Sequence, residues 1–204
     1  MPASRVALSL VLIGLLCLPA ACSRTKKELP YPEEINAERA VKDQMLGSAA
    51  DSPITADHRA QFLPLAYFPI DEGFRVPAVL APTPGEVAME MPTSGGQRRQ
   101  MRRAGQLKFS VKGEPMTLTA FVEATDQQMT RLFVPFRDTT NGIETYPAGR
   151  YLDLERTATG LYEIDFNRAY HPYCYFNATY DCPYPPTENR LPAPIRAGER
   201  VRPH

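Results

Sequence analysis

The chain contains no tryptophan and carries no net charge, since 23 lysines and arginines balance 23 aspartates and glutamates across 204 residues. That balance leaves no basic face for a polyanion, so nucleic acid is not an expected partner. Glycine, at 12, is too sparse for a collagen-like or low-complexity chain. Phosphate loops, dinucleotide fingerprints, zinc-protease helices and nucleophile elbows are all absent, and no cofactor is implied.

What is present is an apolar fraction of 43%, enough for a real core. Prolines number 21, about twice the usual share of ~5%. Such density limits long helices and internal strands and favours short strands joined by stiff turns.

Residues 1–21 read as an export signal. Arg5 is the only charge, and the apolar run Val6 to Leu18 is shorter than the ~20 residues a spanning helix needs. Leu18-Pro19-Ala20-Ala21-Cys22 resembles a bacterial lipobox, in which the cysteine is acylated and becomes the mature N-terminus. Plain secretion is the alternative. The expectation is a membrane partner through lipid on Cys22, with Ser23 compatible with an outer-membrane location facing the periplasm. Residues 22–32 are polar and proline-broken and read as a tether, and 33–204 as a single domain.

The stretch Glu33 to Leu46 predicts a helix. Ala37, Val41 and Met45 recur every fourth residue, Ile35 and Leu46 widen that stripe, and Gly47 suits the stop. A short helical turn is expected over Pro53 to Phe62 behind Ser52. Beyond it the period changes to two. Leu107, Phe109 and Val111 alternate with polar residues, as do Met116, Leu118, Ala120 and Val122, and Lys112-Gly113-Glu114-Pro115 between them marks a hairpin. Arg150 to Arg156 and Leu161 to Phe166 flank Thr157-Ala158-Thr159-Gly160, a second hairpin. Further short strands are expected near Phe74 to Leu80, Glu86 to Met91 and Leu132 to Phe136. The fold class expected is mostly β (α+β): an antiparallel sandwich, roll or small barrel with one N-terminal helix. The stretch His171 to His204 holds seven prolines and is expected to wrap the sheet as an irregular strap.

The part from 133 to 199 is rich in spaced motifs. It includes Asp138-Thr139-Thr140, Glu144-Thr145-Tyr146-Pro147-Ala148-Gly149-Arg150-Tyr151 and Asp165-Phe166-Asn167-Arg168-Ala169-Tyr170-His171-Pro172-Tyr173-Cys174. Cys182-Pro183-Tyr184-Pro185-Pro186-Thr187-Glu188-Asn189 and Ala197-Gly198-Glu199 complete the series. The set resembles the bacterial family known as domain of unknown function 1684. The resemblance covers at least Phe133 to Glu199 and, more weakly, Arg39 to Ser110. It implies no activity, substrate or cofactor. His171 stands where that family usually has asparagine.

Cys174 and Cys182 remain once Cys17 leaves with the signal and Cys22 takes lipid. An even number in an exported chain favours a disulfide. His171, Cys174 and Cys182 also form H-x2-C-x7-C, but three ligands are one short of a structural zinc site, and no metal is expected. Arg150, Asp165, Asn167 and Tyr170, with Glu144 and Asn189, are the candidate ligand-binding residues: carboxylates suit acid–base chemistry and an arginine holds an anion. Arg150 and Asp165 have equal parity about the Thr157–Gly160 turn, which places them on one face of the proposed hairpin. Turn caps and a buried ion pair are the structural alternative. Arg98, Arg99, Arg102 and Arg103 form the one dense basic cluster, either a solvated edge or a contact for anionic lipid head groups.

The expected protein is a lipid-anchored envelope component that binds a small ligand or another envelope component. An enzyme of hydrolase or isomerase type built on the motif residues, or a structural envelope partner, are the other readings. Convergence of the motif polar groups in one pocket would favour a ligand or a substrate; dispersal would favour structure.

Overall fold

The computed structural model describes residues 29–85, 88–129 and 131–202. The expected signal segment, Cys22 and most of the tether lie outside the described residues. Helix α1 spans Tyr31–Ser48 and α2 Arg59–Phe62; strands follow as β1 Arg75–Pro82, β2 Ala88–Pro92, β3 Arg98–Val111, β4 Glu114–Glu123, β5 Arg131–Phe136, β6 Arg150–Glu155 and β7 Tyr162–Asp165. Prolines 30 and 32 at the start of α1 cost it nothing, because the first helical N–H groups lack intrahelical acceptors. Glu33 and Glu34 in its first turn complement the helix dipole.

The strands form one antiparallel sheet in the order β6-β5-β4-β3-β1-β7, with β2 also paired to β3. The Lys112–Gly113 hairpin lies where the alternation places it, whereas the expected Arg150–Phe166 hairpin is closed only by the single Arg156–Tyr162 bridge, because β6 pairs with β5 and β7 with β1. Lys112 (φ 51°) and Gly113 (φ 87°) form the two-residue loop between Val111 and Glu114, the geometry of a type I′ turn. β6 and β7 are linked through Arg156 and Tyr162, so the sheet curls into a nearly closed barrel. Leu107, Leu118, Ala120, Val134 and Ile164 fill its interior and are fully buried. The opposite pleat carries a second cluster of Met91, Met101 and Phe121, with Phe133 packed beside it.

The proline-rich strap makes isolated bridges to the body of the fold, at Thr93–Pro183, Arg137–Arg190 and Tyr67–Glu199. Asn189 explains part of its hold. The β4–β5 register is limited to Phe121–Phe133. Beside that pair, Asn189 Nδ2 donates to the carbonyls of Thr119 and Pro135, 2.8 Å each, while its Oδ1 accepts the Thr119 N–H at 2.7 Å. The side-chain amide thus acts as a strand neighbour next to a proline that has no N–H to offer.

Candidate functional site

The motif polar residues do not converge in one pocket; Arg150 and Asp138 form one buried knot and Asp165 and Asn167 another. Arg150 is fully buried; its Nη2 meets Asp138 Oδ2 at 2.9 Å and donates to Ile195 O at 2.7 Å. Its Nη1 donates to the carbonyls of Ala197 (2.5 Å) and Glu199 (3.1 Å). Asp138 completes the knot by accepting the N–H groups of Thr140 and Ile195. Burial lowers the Arg150 pKa, and the Asp138 carboxylate opposes that shift. This arginine pins the strap to β6 from inside the core.

Asp165 is elsewhere. It accepts the Asn167 N–H (3.0 Å), the Tyr31 hydroxyl (2.8 Å) and Arg168 Nη1 (2.6 Å). Asn167 bonds Asp71 through both backbone groups and donates to Tyr31 Oη. Together they fasten the start of α1, so Tyr31 belongs to the folded domain and not to the tether. Burial raises the Tyr31 pKa, and the bond to Asp165 adds to the shift. Glu144 pairs with Arg196 at the surface (2.9 Å), and Asn189 serves the strap as described.

The shared pocket expected for Arg150, Asp165, Asn167 and Tyr170 is therefore not formed. Equal parity about the turn does not bring the pair together because the two arms of the hairpin separate. β6 pairs along its length with β5, setting Arg150 opposite Phe136, whereas β7 pairs with β1, setting Asp165 opposite Arg75. Cys174 and Cys182 are free thiols, with the Cys174 N–H donating to Cys182 Sγ at 3.2 Å. Both His171 ring nitrogens are engaged by other groups: its Nε2 accepts the Tyr146 N–H at 3.3 Å and Nδ1 lies 3.6 Å from Glu199. In the basic cluster Arg98, Arg99 and Arg103 face Glu90, Glu123 and Glu188, and Arg102 donates to the Asp126 carbonyl.

The site the fold does build lies on the outer face of the sheet. Along α1, Ile35, Arg39, Lys42 and Leu46 share one face at helical spacing, and that face meets the protein: Ile35 and Leu46 are buried, Arg39 reaches Phe68 O, and Lys42 pairs with Glu199 at 2.5 Å. The stripe Ala37, Val41 and Met45 is turned away from that contact. Val41 is 55% exposed and Met45 62%. The stripe forms one wall of a groove of about 1060 Å³, at the upper end of ligand-pocket volumes. Met101, Phe133 and Tyr151 of the sheet and Tyr173 of the strap line the rest. Tyr151 and Phe133 stack edge to face at 4.8 Å. Four of the nine large apolar side chains left exposed among the described residues, Leu29, Val41, Met45 and Tyr173, line this one groove.

Tyr170 alone of the six candidate residues reaches it. Its hydroxyl donates to Asp153 at 2.8 Å, and the Lys42 ammonium lies 4.8 Å from its ring centre. Burial raises the Tyr170 pKa, and the Asp153 carboxylate adds to it, so the phenol stays protonated. The groove was missed in the sequence because an apolar helical stripe has the same periodicity whether a core or a ligand covers it. The available signal was the wide angular offset between Ile35 with Leu46 and the other three residues.

The model for a protein family of unknown function, DUF1684, matches residues 60–200. The chain belongs to the DUF1684 family. This DUF1684 chain is also similar to the solution NMR structure of an uncharacterised protein from gene locus rrnAC0354 of Haloarcula marismortui. The two share 35% identity with a TM-score of 0.65, over 82% of this chain and 92% of that one. No curated protein matches. The DUF1684 match takes in the barrel and most of the strap, while α1 lies before it, so the groove joins a wall outside the matched range to walls inside it.

Proposed function

We propose that this DUF1684 protein is a lipid-anchored envelope binding protein whose groove holds the alkyl part of an amphipathic small molecule. The observation that carries the reading is the Ala37–Val41–Met45 stripe, left uncovered by the described residues and facing Met101, Phe133 and Tyr151 across about 1060 Å³. Exposed apolar surface concentrated in one concavity is the usual mark of a binding site. A linear alkyl chain fits an apolar groove walled by a helix and a sheet, and the charged side chains of its lining, Lys42, Arg99 and Arg131 among them, suit a polar head. The motif residues hold the strap and α1 in the positions that shape the groove. Envelope location and anchoring rest on the apolar leader and the Ala20-Ala21-Cys22 junction.

The test is titration with cis-parinaric acid, a fluorescent fatty acid, together with mass spectrometry of molecules extracted from protein purified without detergent. Ala37→Glu and Met45→Glu should each weaken probe binding by more than tenfold while leaving the thermal midpoint within a few degrees, because both positions are exposed. Equal binding by wild type and both variants would refute the reading.

A further inference from the structure

We infer that, when no other ligand is present, the groove is filled by an acyl chain carried on the protein's own Cys22. The inference rests on the groove reading above and names its resident occupant. Leu29, the first described residue, lines the groove, so the chain enters the fold at the groove itself. Cys22 stands seven residues earlier. Seven residues reach at most about 25 Å when extended, while α1, with 18 residues, is about 27 Å long. A group on Cys22 can therefore reach nearly any point along the apolar wall.

The intervening residues, Ser23-Arg24-Thr25-Lys26-Lys27-Glu28, are polar throughout. They have nothing to offer an apolar wall; the lipid is the one apolar group that the expected mature chain carries ahead of Leu29. The charges also agree. Arg24, Lys26 and Lys27 against Glu28 leave the linker with an excess of two positive charges. The groove lining has six carboxylates, Glu34 and Glu38 near the start of α1 among them, against three cations. A short linker holds its cargo at an effective concentration on the order of millimolar, so the attached chain competes well with free amphiphiles. Membrane attachment and ligand binding are then linked: a ligand that takes the groove releases the acyl chain to the bilayer, and a bilayer that takes the chain opens the groove.

The experiment is photo-crosslinking in intact cells that make the full chain with photo-methionine, followed by mass spectrometry of the purified protein. Met45 and Met101 both line the groove, and Met116 and Met129, which do not, serve as internal controls. The expected product links the Met45 or Met101 peptide to the acylated Cys22 peptide of the same molecule. Ala37→Glu, an exposed change, should reduce it at least tenfold. Crosslinks from these methionines to free lipid would overturn self-occupancy and leave the groove reading standing. Crosslinks only to water and bulk protein, equal to those at Met129, would overturn both. A Cys22 found without lipid would overturn the inference and the anchoring, and leave the ligand-binding reading of the groove standing.

Discussion

Arg150 Nη2 and Asp138 Oδ2 lie 2.9 Å apart with both side chains completely shielded from solvent. Twelve residues apart in sequence, they meet inside the barrel end, and the same guanidinium ties down three carbonyls of the strap, at Ile195, Ala197 and Glu199. Removing one partner leaves the other as an uncompensated buried charge, a loss of about 3–5 kcal/mol. Arg150→Met and Asp138→Asn are each expected to destabilise the fold by that order in urea denaturation. A loss below about 1 kcal/mol in both would mean that the strap is held by other contacts.

Gly198 tests the strap from the backbone. Its φ is +76°, and a Cβ there would lie 2.5 Å from Ala169 O and 2.6 Å from Phe166 O. Gly85 has nearly the same φ, +75°, with nothing within 4 Å of a Cβ. Gly85→Ala should cost only the conformational penalty of about 1 kcal/mol, and Gly198→Ala markedly more. Thermal unfolding of the two variants side by side measures the difference; equal midpoints would contradict the close approach.

His171 should make stability depend on pH. Burial, then the charges of Arg150 and Lys42, hold its folded pKa well below the usual value, so the ring is neutral in the fold. The unfolded histidine protonates near pH 6.5. Below that pH the unfolded state binds more protons, so stability is full above about 6.5 and falls as the pH drops, by up to about 1.4 kcal/mol per pH unit. His171→Asn should flatten the slope between pH 6.5 and 5 by up to one proton. Denaturation midpoints at several pH values give the slope, and an unchanged slope would show that another group is responsible.

The thiol pair should ionise unequally. Hydrogen bonding from Cys182, then from Ser94 and Tyr146, favours a Cys174 thiolate and draws that thiol down to about 6 against the opposing effect of burial, while Cys182 is pushed up. Alkylation by iodoacetamide should therefore reach half its limiting rate near pH 6 and fall on Cys174. In Cys182→Ala, which removes the donor, the midpoint should rise towards the ordinary thiol range. Oxidised glutathione should close the pair to a disulfide with loss of two hydrogens from the intact mass, and two free thiols after treatment would count against the bond.

The sequence by itself determined the local pieces. Alternation over Leu107 to Val122 with Lys112-Gly113 between the arms specifies a hairpin, because side chains alternate along a strand and a type I′ turn needs positive φ at both loop positions. The prolines of the last 34 residues exclude a central strand, and the strap follows. Helix α1 was legible for the same kind of reason, through a period set by its own backbone.

Only the tertiary structure decided which surfaces meet. Curling of the sheet gave β6 to β5 and β7 to β1, which separated Arg150 from Asp165 and handed the arginine to Asp138. Docking of α1 through Tyr31, Arg39 and Lys42 turned Ile35 and Leu46 inward and left Ala37, Val41 and Met45 facing a groove. Periodicity records that a helix has an apolar stripe; what covers the stripe depends on contacts between residues far apart in the chain, over 100 positions for Tyr31 and Asp165. No local pattern carries that information, because it arises from where the closed sheet leaves room.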